Sequence, residues 1–268
     1  MTPSLSLDSR ALAEAYDRSS ALQLEGGQRL VERLHLGPEA RVLDVGCGTG
    51  RLTCWLAARL GPKARVVGID PLEHRIAVAR SHGGTARFEV GRAEDLSAFQ
   101  DASFDTVCLA SVLHWVTDKA RALAEARRVL RPGGTLAVTT LPDELSGVST
   151  VSSVLRSVLR RAPFVEHLAP PGPRRGSTST ELVALALESG LELVELQVAP
   201  TESRHESGAA FVELAEASAF GNLLGSVPAE LRTSLRDELA AAFETQRGPA
   251  GVVVRGWEVR LVARCPGE

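Results

Sequence analysis

The chain has 268 residues, 44% of them hydrophobic and 24% charged, with a formal net charge of -3 at pH 7. That length buries a full core and accommodates one large domain with an elaboration. No apolar run approaches the ~20 residues of a membrane span and no secretory apolar segment opens the chain, so a cytoplasmic protein without membrane contact is expected. The scattered basic residues give no footprint for nucleic acid.

In chain order, apolar spacing predicts one or two helices over residues 11–34, followed by a buried strand through Val42, Leu43 and Val45. Gly46, Gly48 and Gly50 come next and remove three side chains in five positions, leaving main chain on which a ligand can lie. Helical spacing resumes over Arg51–Leu60, placing the glycine turn at a helix N-terminus, where free N–H groups attract polar ligands. A second strand, Arg65–Asp70, closes in a carboxylate, and a helix is predicted over residues 73–80. The third strand, Arg87–Val90, runs into Gly91-Arg92-Ala93-Glu94-Asp95-Leu96. The fourth, Phe104–Ala110, leads into Ser111-Val112-Leu113-His114-Trp115-Val116. A helix over residues 119–130 ends at Arg131-Pro132-Gly133-Gly134, and a fifth strand is predicted over residues 135–140. Beyond it come a helix (144–161), a loop rich in Pro, Gly and Arg (162–180), a helix (180–189) and a sixth strand (191–198). Two more helices follow within residues 211–243, and a last strand over 252–263 passes through Gly256.

Strands alternating with helices at short spacing predict an α/β fold, a parallel sheet covered on both faces, with ligands bound off the carboxyl ends of its strands. Gly46, Asp70, Ala93 and Ala110 all fall at such ends. An acid closing the second strand is placed to accept hydrogen bonds from ribose hydroxyls. A dinucleotide fingerprint needs glycine or alanine at the sixth position from Gly46, which is Arg51, and a phosphate loop needs a Gly-Lys pair that is missing here. The four cysteines, Cys47, Cys54, Cys108 and Cys265, fit a reducing compartment and have no zinc spacing. The histidines show no metal-ligand spacing either, so no metal is expected.

The glycine turn in the form D-x-G-x-G-x-G, the acid-ended strand, G-x-A-E-D-L, F-D-x-V and L-R-P-G-G resemble, in order, the motifs of class I S-adenosylmethionine (SAM) dependent methyltransferases. The resemblance is close over residues 38–141 and looser elsewhere. It implies a Rossmann-like, seven-stranded, mostly parallel sheet with a helical cap, the last strand lying antiparallel beside the sixth. It divides the chain into N-terminal helices forming a lid (1–37), a SAM-binding core (38–141) and cap helices plus the last two strands (142–268). It also implies SAM as cofactor, with Gly46, Cys47 and Gly48 meeting the methionine portion and Asp44 orienting the turn. Thr49 and Arg51 would add polar contacts, Asp70 would hold the ribose, and Pro71 or Leu72 would pack on the adenine. Ala93 would offer its N–H to the ring. Arg92 departs from the Asp or Asn usual before that alanine, leaving Glu94 or Asp95 to accept from the exocyclic amine. Ala110 would touch the methionine portion.

His114 and Trp115 follow the fourth strand and are expected at the pocket mouth, His114 as a base and Trp115 as an N–H donor to a substrate oxygen. The same segment reads equally as a packed helix start. Tyr16, Ser20 and Gln23 have helix-compatible spacing and resemble the N-terminal Tyr and Gln of a subgroup that includes juvenile hormone acid and trans-aconitate methyltransferases. There, a Gln of this region and the Trp of L-H-W-V are thought to hold the acceptor carboxylate. Arg156, Arg160, Arg161, Arg174 and Arg175 read either as an anion clamp or as a solvated face. The expectation is a methyltransferase acting on a carboxylate or hydroxyl oxygen of a small molecule, as a monomer or homodimer. N- or C-methylation of a secondary metabolite and a non-catalytic SAM-binding protein stand as alternatives.

Overall fold

The computed structural model describes residues 4–167 and 176–267. The arginines expected at 174 and 175 lie outside them. In chain order the elements are α1 (Arg10–Ser19), α2 (Ala21–Glu32), β1 (Arg41–Val45), α3 (Arg51–Leu60), β2 (Arg65–Asp70), α4 (Glu73–Ser81), β3 (Arg87–Val90) and β4 (Phe104–Ala110). They continue with α5 (Lys119–Val129), β5 (Leu130–Thr140), α6 (Thr150–Leu159), α7 (Ser179–Glu188) and β6 (Glu192–His205). The last four are α8 (Gly208–Ser218), α9 (Arg232–Glu244), β7 (Arg247–Gly248) and β8 (Gly251–Arg264).

The sheet order is β3-β2-β1-β4-β5-β8-β6, seven strands as the sequence predicts, with the two-residue β7 pairing with β8 as an eighth. β1 pairs in parallel with both β2 and β4, and β8 pairs antiparallel with β5. Strand order therefore runs one way from β1 to β3 and the other way from β4, which opens a ligand crevice at the carboxyl ends of β1 and β4.

Two compact units make up the chain: Met1–Ser20, Glu144–Arg174 and Ala199–Trp257 in the first, and Ala21–Asp143, Arg175–Val198 and Glu258–Glu268 in the second. The second holds the sheet core. On one face Leu43, Val67, Val107, Leu136 and Leu261 pack on α5 and α7 through Leu123, Ala126, Leu182 and Ala186. On the other, Val42, Val66, Cys108 and Ala137 pack on α2 and α3 through Leu30, Val31, Leu52 and Leu56. In the first unit α6, α8 and α9 close around Val158, Phe164, Phe211, Leu239 and Phe243, with Phe211 and Phe243 edge-on at 4.5 Å.

Three boundaries differ from the sequence expectation. β5 begins at Leu130, not at residue 135, because the register slips between Phe104↔Leu130 and Thr106↔Thr135. The Pro-Gly-Gly stretch is thus a bulged strand entry with Gly133 at φ +73°. β6 extends through Pro200 to His205, and an edge strand tolerates a proline that would break a central one. The helix expected over 144–161 is a 3-10 segment, Asp143–Val148, followed by α6.

Candidate cofactor and acceptor site

β1 delivers the chain into the glycine turn. Gly46 (φ +73°) and Cys47 both donate their N–H to the Ile69 carbonyl, at 2.7 and 2.9 Å. Gly48 donates to Asp70 Oδ2 at 3.0 Å, and Leu72 N–H donates to Oδ1 at 2.9 Å. One buried carboxylate thereby ties the turn to the exit of β2. Gly50 (φ +80°) precedes α3, which starts without a side-chain cap. A Cβ on Gly50 would lie 2.6 Å from Phe88, and one on Gly46 would overlap the Val112 side chain. The turn therefore admits only main chain at both positions.

Asp44 lies beneath the turn, 1% exposed, and accepts the Thr53 hydroxyl at 2.7 Å, which binds the first turn of α3 to β1. Burial pushes its carboxyl up to about 6; the Thr53 hydrogen bond opposes the rise and the nearby Asp70 charge adds to it. Burial, with Asp44 and Asp70 adding, also raises the Cys47 thiol well above its ordinary value, which leaves it a poor nucleophile.

The loop after β3 is pinned from α5. Glu125 Oε2 accepts Leu96 N–H at 2.7 Å, and Arg128 donates to the carbonyls of Leu96 and Phe99. Glu94 Oε1 accepts Thr117 N–H at 3.2 Å, Asp95 accepts Ser97 N–H, Arg92 is exposed and Ala93 is buried.

At the end of β4 the chain reverses through Ser111, a non-glycine residue at φ +60°. Its N–H is shared between the carbonyl and the hydroxyl of Thr139, at 2.9 and 3.0 Å. The reversal sets Val112 against Gly46 and opens a 3-10 turn, Leu113–Trp115. His114 Nδ1 lies 3.2 Å from Thr140 Oγ1, and its ring is 5.0 Å from that of Trp115. Thr139 and Thr140 are adjacent, buried and on opposite faces of β5, and between them they grip both ends of the Ser111–His114 turn.

A methyltransferase domain model matches residues 43–138. The chain is 32% identical over 256 residues to a malonyl-[acyl-carrier protein] O-methyltransferase of Methylococcus capsulatus, covering 93% of this chain and 88% of that protein. The chain belongs to the class I SAM-dependent methyltransferases. It is also 34% identical to a trans-aconitate 2-methyltransferase of Variovorax paradoxus, over 57% of each protein. In fold, the methyltransferase resembles the YcgJ protein of Bacillus subtilis, with a TM-score of 0.60, 19% identity and coverage of 91% of this chain and 99% of that one.

SAM is the cofactor, and the residues present suit it. A turn closed to side chains faces an uncapped helix N-terminus, and an acid stands beside it on the next strand. The strand-end residues expected around it, Asp44, Gly46, Cys47, Gly48, Asp70, Ala93 and Ala110, all belong to one unit of the methyltransferase, as do Thr49, Arg51, Pro71, Leu72, Arg92 and Glu94. Gln23 and the His114–Trp115 turn lie in that unit too, whereas Tyr16 and Ser20 lie in the other. The helical face expected to join Tyr16, Ser20 and Gln23 is interrupted: Ser20 closes α1, and α2 begins at Ala21. Gln23 Oε1 is buried with no hydrogen-bond partner among the described residues. Arg156 donates to the Gly147 carbonyl and Arg161 pairs with Glu238 at 3.6 Å, both exposed, so these cations follow the solvated-face reading.

Sequence reasoning passed over Thr53, Ser111, Thr139 and Thr140. Thr53 read as one more helical residue and the threonine pair as the end of a buried strand. Nothing in the sequence marks a serine for positive φ.

Proposed function

We propose that the enzyme methylates a carboxylate oxygen of a small organic acid by in-line displacement. The observation that carries this reading is the Ser111–Trp115 turn, anchored to the glycine turn through Val112 and to β5 through two threonines. The turn carries an imidazole and an indole just beyond β4, beside the strand ends that on this reading hold the cofactor. Two relatives are named for acids, malonyl-[acyl-carrier protein] and trans-aconitate, which supports an acid here.

When bound, SAM supplies a methyl group on a positively charged sulfur. On this reading Asp70 holds its ribose, the Gly46–Gly48 main chain and Ala110 its methionine portion, Thr49 and Arg51 its polar end, and Pro71, Leu72, Ala93 and Glu94 its adenine. Arg92 stands at the position expected beside that edge, with its side chain exposed. Gln23, His114 and Trp115 orient the acceptor. The Gln23 amide oxygen is buried and unbonded, and since an ionised carboxylate only accepts, Gln23 would meet the acceptor through its amide N–H. Orientation of this kind is worth ~7–11 kcal/mol of barrier, and the protein need supply little else to an already ionised nucleophile.

The test is incubation with methyl-labelled SAM and a panel of carboxylic acids, phenols and amines. Label released as methanol by mild alkali identifies a methyl ester and supports the proposal. Alkali-stable label in every product would replace it with ether, amine or carbon methylation, and no label at all would favour a SAM-binding protein without transferase activity.

A further inference from the structure

The buried hydroxyl of Thr140 fixes which nitrogen of His114 carries its proton. Thr140 is 3% exposed, and among the described residues His114 Nδ1, at 3.2 Å, is the partner of its Oγ1. A hydroxyl has one proton to place. If Nδ1 carried hydrogen and donated to Oγ1, the Thr140 proton would be buried without an acceptor, a penalty that favours the alternative. With the hydroxyl donating to Nδ1, both groups are satisfied and the imidazole proton resides on Nε2. The turn carrying His114 is itself held, through Ser111 N–H on Thr139 and Val112 on Gly46, which keeps the ring within reach of Thr140.

We infer that Thr140 holds His114 as a hydrogen-bond donor at Nε2, and that His114 therefore receives an acceptor whose oxygen is already anionic instead of deprotonating a neutral one. This inference rests on the proposed acid methylation and deepens it. A base would have to offer an unprotonated Nε2 to the acceptor's O–H. A donor at that nitrogen instead meets a carboxylate oxygen. Methylation of a carboxylate moves no proton: the C–O bond forms as the C–S bond breaks, and the anion and the sulfonium neutralise each other. Thr140 is thus a positioning residue, acting through His114, and it selects carboxylic acids over alcohols and phenols.

The experiment is long-range 1H–15N correlation NMR of the full chain, with the His114 signals assigned by their loss in His114→Gln. Wild type is expected to show a protonated Nε2 and an unprotonated, hydrogen-bonded Nδ1. Thr140→Val should move the Nδ1 resonance downfield to the position of a non-bonded nitrogen, and Thr140→Ser should restore it. A protonated Nδ1 in the wild type, or an Nδ1 signal that ignores Thr140→Val, overturns the inference whatever the acceptor proves to be. In the labelled screen, His114→Gln keeps an N–H donor and loses the base. It is expected to retain activity within about tenfold, whereas His114→Ala loses one hydrogen bond to a charged group, about 10- to 100-fold in kcat/KM. A collapse of turnover in His114→Gln comparable with that in His114→Ala overturns the donor role. A screen with no turnover in the wild type counts against acid methylation, while the NMR result still decides the tautomer.

Discussion

Ser111 is, with His35 and Ala102, a non-glycine residue at positive φ in the unit that holds the sheet core. A serine at φ +60° is strained by roughly 1–3 kcal/mol, and such strain persists where surrounding contacts over-determine it. Here those contacts are the two hydrogen bonds to Thr139 and the seating of Val112 on Gly46. Glycine adopts the same conformation freely. Ser111→Gly is therefore expected to raise the thermal unfolding midpoint by a few degrees, while Ser111→Val lowers it by more. Calorimetric melts of the two variants check this, and a lower midpoint for the glycine variant would remove the claim of strain.

Side chains join the backbone ladders in fastening together the elements that carry the site. α5 is the clearest case. Its Glu125 is held below the usual carboxylate range by Arg128, with burial opposing and Leu96 N–H adding to the effect. A depressed carboxyl contributes stability that is fully present above its unfolded value near 4.5 and is lost as pH falls through the folded one. Glu125→Gln should consequently destabilise the fold by about 1–3 kcal/mol at pH 7, with the gap closing in acid. Hydrogen exchange at Leu96 should quicken in the same variant, and unchanged protection there would show that the loop stands without α5. Such fastenings are where the sequence is hardest to read. Periodicity located the helices and strands, because burying a face leaves a pattern in neighbouring residues. A Glu meeting an N–H 29 positions away leaves none. The bulge at Leu130 and the continuation of β6 through Pro200 were illegible for a related reason: both depend on what the neighbouring strand does.

For the whole molecule, the five motifs in order were enough to anticipate a seven-stranded, mostly parallel sheet and the strand ends near Gly46, Asp70 and Ala93, since a parallel sheet leaves few places for a ligand. They were not enough to anticipate how the His114 turn is held, because two threonine hydroxyls and one positive φ decide that. The global stability should also depend on the buried acid under the turn. The folded protein holds the Asp44 proton more tightly than the unfolded chain does, with a carboxyl near 6 against an ordinary 3.8. Its ionisation therefore works against the fold above pH 6, and this cost fades as pH falls from 6 toward 4. Asp44→Asn keeps an oxygen for Thr53 and should be the more stable protein at pH 8, by up to about 3 kcal/mol, losing most of that advantage near pH 4. Urea midpoints at the two pH values measure it, and a pH-independent difference would locate the cost elsewhere. The side chain of Val112 occupies the space that any Cβ on Gly46 would need, although 66 positions of chain separate the two. A side chain at position 46 would need both a smaller residue at 112 and a left-handed backbone, so trimming Val112 alone would not rescue it, and glycine is held there by two separate constraints.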